Sequence, residues 1–106
     1  MIRINIAKDF TETPGPRYKK DGEFSGQEFR ELLLVPKFEE AIAQSTQLEI
    51  NLDGGYGYPS SFLEEAFGGL SRIYGEQIVL STLRFVSLEE PLLVNAIEDY
   101  IRKAKL

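Results

Sequence analysis

The sequence predicts an α/β fold: a small, largely parallel sheet of about three to five strands flanked by helices, with a long loop or hairpin after the first strand. Three observations carry this. Apolar and polar residues alternate over 2–6 and 48–52, with a third β-like run near 83–86; stretches with apolar residues every three or four positions separate them; and Gly, Pro and Ser clusters mark the joins. At 106 residues, a single domain spanning 1–106 is expected.

Ile2, Ile4 and Ile6 alternate with Arg3 and Asn5, the period of a first strand with one buried face. The stretch 8–24 follows, punctuated by Pro14-Gly15-Pro16 and Asp21-Gly22. Tyr18 falls between those turns, on a short extended leg of a hairpin-like excursion. Ser25 and Glu28 have the spacing of a capping box and open a helix over about 26–44. Its apolar stripe changes direction around Pro36, so a kink is expected there. Leu48, Ile50 and Leu52 form a second alternating strand that ends on Asp53.

Ser60 and Ser61 open the next helix, and Ser61 with Glu64 again fits the capping box. Phe62, Leu63, Ala66, Phe67, Leu70, Ile73 and Tyr74 give that helix a buried face. Gly68 and Gly69 interrupt it at a cost of about 1 kcal/mol each relative to alanine, which suggests close approach to another element or a partner. Residues 76–82 fit either a helix or a strand. Leu83, Phe85 and Val86 end a last strand. Ser87 and Pro91 precede a final helix whose buried stripe is Leu93, Ala96, Ile97, Tyr100, Ile101 and Ala104.

Composition removes much chemistry. There is no histidine and no cysteine. Histidine-based triads, imidazole acid–base catalysis, thiolate nucleophiles, disulfides and His- or Cys-ligated metals are therefore excluded. The 12 basic and 17 acidic side chains leave a formal charge of -5, which opposes direct contact with nucleic acid. The sequence carries neither a secretory signal nor an apolar run long enough to span a bilayer, so a cytoplasmic protein without membrane contact is expected. Arg17, Lys19 and Lys20 are diluted by Asp21 and Glu23 and read as a solvated loop.

The candidate site is the strand-to-helix join: Asp53, then Gly54-Gly55-Tyr56-Gly57-Tyr58-Pro59, then Ser60-Ser61. In open α/β sheets ligands approach the carboxyl ends of the strands. Glycines let backbone amides converge on an anion, and a helix's first turn attracts one. A phosphate on a hydroxyl there meets the positive end of the helix dipole, although Glu64 and Glu65 oppose it. The competing reading makes Ser61 only a helix cap. The turn lacks the Lys-Ser/Thr ending of a P-loop, so no nucleotide is expected. Neither a cofactor nor a metal site is expected. Tyr56 and Tyr58 are candidate anchors for a protein partner, and the turn could equally form a dimer contact.

Asp9-Phe10, Pro14-Gly15-Pro16-Arg17-Tyr18, Gly22 to Gly26 and Phe29-Arg30, together with Leu52-Asp53-Gly54, Gly57-Tyr58 and the run from Ser61 to Leu70, resemble the bacterial STAS-like domains of unknown function. The resemblance implies a small sheet flanked by helices. It is distantly similar to the anti-sigma-factor antagonist branch, in which a partner kinase phosphorylates a serine at a helix start. Carried over, this implies Ser61, preceded by Ser60, as the modified position and a histidine-kinase-like ATPase as the partner. Separately, the chain is expected to be a monomer or weak homodimer. Two features differ from that branch: residues 54–59 expand the turn, and Phe62 replaces the glycine after the serine. An apolar side chain at 62 is expected to crowd a docked kinase. The alternatives are a constitutive interaction module and a small enzyme using Asp53, Glu64 or Glu65 as a base.

Overall fold

The computed structural model describes residues 1–105. Its centre is a three-stranded parallel sheet in the order β1 (Ile2–Asn5), β2 (Leu48–Asn51), β3 (Leu83–Val86). Ile2 lies opposite Leu48, which lies opposite Leu83; Ile4, Ile50 and Phe85 form the next row. The pleat turns these rows towards the helices. Arg3, Glu49 and Arg84 form a row on the other face, where the Arg3 guanidinium pairs with Glu49 at 3.3 Å.

The expected strand through Ile6 stops one residue earlier. Asn5 ends β1 and caps a single helical turn, α1 (Ile6–Asp9), by accepting a hydrogen bond from the Lys8 amide. Ile6 still reaches the core, so burial alternates through position 6 although the strand does not. The loop after α1 contains a 3₁₀ turn at Lys19–Asp21 and no strand. It folds back on itself through the Gly15 amide on the Phe24 carbonyl and the Gly26 and Gln27 amides on the Pro16 and Arg17 carbonyls.

Helix α2 runs over 26–43. Ser25 caps it, its Oγ accepting from the Glu28 amide at 2.9 Å. Ahead of Pro36 the helix contains a π turn, Arg30–Leu34, in which the Val35 amide reaches the Arg30 carbonyl. Pro36 has no N–H to bond the turn before it, and the widened turn lies immediately ahead of that gap. Helix α3 runs over 60–74 and contains a second π turn, Glu64–Gly68. Residues Glu76–Thr82 are helix α4, which resolves the ambiguous segment, and α5 spans Leu92–Lys103.

The core is aromatic at its centre. Phe29 lies 5.8 Å from Phe62 and 6.1 Å from Phe67, and the Phe10 ring is 5.4 Å from Phe29. Gly26 lets α2 meet α3 backbone to backbone: a Cβ there would strike the Phe62 carbonyl.

Candidate functional site

The carboxyl ends of β2 and β3 meet at a groove of about 230 Å³ lined by Asp53, Tyr56, Tyr58, Ser87, Glu89 and Leu93, among others. Asp53 builds its wall. One carboxylate oxygen accepts the Leu88 amide and the other the Glu89 amide, each at 3.0 Å. The Gly54 amide donates in return to the Glu89 carboxylate at 2.9 Å. These three bonds join the turn after β2 to the turn after β3, so the groove is held in shape by its own acids.

Several amides of the glycine-rich turn are engaged within the protein. Asp53 N–H donates to the Asn51 side chain, Gly54 N–H to Glu89 and Tyr56 N–H to the Glu12 carbonyl. An anion would have to displace these acceptors, so the turn is poorly suited to cradling a phosphate of its own. The two tyrosines part company. Tyr58 folds down, and its hydroxyl donates to the Leu52 carbonyl at 2.9 Å. Burial first, and then the charges of Asp53, Glu89 and Glu90, push the Tyr58 hydroxyl up to about 12, so it stays a donor. Tyr56 stands in solvent.

At the start of α3 the expected cap is absent. Pro59 holds the cap position without a side-chain hydrogen bond, and Ser60 and Ser61 are the first helical residues. The reading of Ser61 as a helix cap is therefore corrected: its φ/ψ are already helical, and a cap must be extended. Glu64 does not reach back to complete a capping box. Its carboxylate is clasped by Arg72, at 2.8 and 3.2 Å, and by Arg17. The hydrogen bonds from Arg72, and after them those from Arg17, hold the Glu64 carboxyl below its ordinary range against the opposing effect of burial.

Glu65 is also paired. Arg30 donates to its carboxylate at 2.6 Å and to its backbone carbonyl at 2.7 Å, with Arg17 a further 3.5 Å neighbour. Arg17 is thus not part of a solvated loop; it fastens the 8–24 loop to α3. Tyr18, beside it, is exposed, with the Lys20 ammonium over its ring at 5.6 Å. Sequence reasoning did not anticipate Arg30, Arg72, Glu89 or Glu90. A signal existed for Arg30: Gly69 leaves the space that its side chain occupies, as Gly68 does for Glu64.

Phe62, expected to crowd a partner, is fully buried against Phe29 and Tyr58. It points into the core because α3 turns its 62, 63, 66, 67 and 70 face inwards. Among the described residues no cluster of acidic side chains is arranged to hold a metal ion, and no helix is long and apolar enough to cross a membrane.

A three-stranded parallel sheet flanked by helices is consistent with a small STAS-like fold. The family model described as the STAS-like domain of unknown function (DUF4325) matches residues 25–93, and the chain belongs to that family. The matched span holds both helix-start serines and both turns of the groove; the 8–24 loop lies outside it. Comparison with curated proteins and with solved structures finds no match.

Proposed function

We propose that residues 1–106 act as one non-catalytic protein-interaction module, whose binding is switched by a phosphate on the hydroxyl of Ser61 or Ser60. The observation that carries the reading is the state of the α3 start. Neither serine is used as a cap, Ser60 is exposed and Ser61 half-exposed, and the two acids that would repel a phosphate there are each held by arginine. A phosphate adds about -1.5 to -2 charges, which the amino end of a helix favours. It also adds bulk next to the turn at 54–59, where a bound partner would lose its fit. A histidine-kinase-like ATPase is the partner class that the STAS resemblance supports.

A carboxylate-based enzyme has less support. Both Asp53 oxygens accept backbone amides, and Glu64 and Glu65 are tied to arginines, so none stands free as a base. A constitutive interaction module remains as a second reading because the Asp53 staples shape the groove without any modification.

The test is incubation of the chain with ATP and a kinase-like ATPase encoded beside it, with the phosphate located by mass spectrometry. The switch predicts label at Ser61 or Ser60, abolished in a Ser60→Ala/Ser61→Ala double variant. Labelling of that variant at the wild-type level overturns it.

A further inference from the structure

The three most exposed large apolar side chains in the described structure, Tyr56 at 84%, Leu88 at 83% and Leu92 at 80%, lie around the carboxyl-edge groove, Tyr56 and Leu88 on its two turns and Leu92 on the first residue of α5. Tyr56 lines that groove; Leu92 lines an adjoining hollow of about 370 Å³ that shares Glu89, Glu90 and Leu93 with it. Leu88 sits on the amide that Asp53 holds. Exposing three such residues together works against solubility unless something covers them. The staples from Asp53 and Glu89 keep the two turns in place, so little ordering is needed when a partner docks.

The rim of this patch is acidic. Glu89 and Glu90 are exposed, and a neighbouring hollow of about 460 Å³, which shares Asp53 and Glu89, adds Glu12, with Lys8 the one cation among its lining residues. Lys19 and Lys20 line a separate hollow with Tyr18 and Gln27. Resting on the proposed interaction role, the geometry points to the surface formed by Tyr56, Leu88 and Leu92 with Glu89 and Glu90 as the docking site for a protein segment that carries apolar side chains flanked by lysine or arginine. Burial of the apolar residues supplies affinity; the acids set the encounter rate and reject acidic competitors. A second copy of this chain is a poor occupant, because a two-fold contact would bring Glu89 and Glu90 against themselves.

The experiment is a titration of the isotopically labelled full chain with two synthetic helical peptides of identical leucine pattern, one with lysines and one with glutamates. The lysine peptide is expected to shift the amide resonances of 53–58 and 87–93, with affinity falling as salt rises. Glu90→Lys and Leu92→Ala, both exposed and outside the staples, should each weaken that binding by at least about fivefold. Equal binding of the glutamate peptide, shifts centred on Tyr18 and Lys20, unchanged affinity in both variants, no binding at all, or self-association through the same residues would each overturn the assignment. Phosphate at Ser60 or Ser61 is read separately, so the switch can fail while this surface stands, and the reverse.

Discussion

Ser25 and Ser61 occupy the same sequence pattern, a serine three residues before a glutamate, yet only Ser25 caps. The difference lies in what precedes them. Phe24 takes a left-handed backbone, φ 55, and leaves Ser25 extended, whereas Pro59 itself supplies the extended residue before α3 and pushes both following serines into the helix. Removing the Ser25 hydroxyl should therefore cost about 1 kcal/mol, with Ser61→Ala close to neutral; urea unfolding of the two variants checks this. Asp53 stood out in sequence as a candidate from its place at a strand end, and in the structure it accepts two amides across the groove, a partnership between residues far apart in sequence that no local pattern encodes. Glu64 carries a pH prediction. Its folded pKa is depressed, so its contribution to stability is present above the unfolded glutamate value of about 4 and is lost as pH falls through the lower, folded value. Between pH 6 and pH 2 the midpoint of urea unfolding should drop less for Glu64→Gln than for the wild type.

Much of the order of strands and helices was readable because the longer elements declare their own period, alternating isoleucines in β1 and three- and four-residue steps in α3 and α5, whereas the single turn α1 and the seven-residue α4 are too short to show one. The two π turns were not readable. Each depends on what the helix must accommodate, Pro36 after one and the Arg30 and Glu64 side chains over Gly68 and Gly69 in the other, and only the second involves a long-range partner. Arg30→Ala removes the main partner of a largely buried carboxylate, and a loss of about 2–3 kcal/mol is expected in denaturant unfolding. At the end of α2, Ser45 has φ 53, and the Thr46 amide bonds the Ala41 carbonyl, the geometry of a Schellman cap. Ser45→Gly should raise stability by about 1 kcal/mol, seen as a higher unfolding midpoint.

Across the whole molecule, the structure gives the net charge of -5 a location. Acids gather at the carboxyl edge of the sheet, where the most exposed apolar residues also lie, while Arg17 fastens the 8–24 loop and Arg30 fastens α2 onto α3, and Arg72 pairs with Glu64 within α3. Sequence composition cannot show such a separation, because it emerges only when β2 and β3 bring the turns at 54–59 and 87–91 together. The proposed switch couples this surface to the start of α3. The most direct test is recovery of the chain with its partners from its native cell, with phosphate mapped separately in the bound and unbound pools. The account predicts a kinase-like ATPase with the unmodified chain and phosphate at Ser60 or Ser61 concentrated in the unbound pool; the same partner bound whether or not those serines carry phosphate, or no phosphate in either pool, would contradict it.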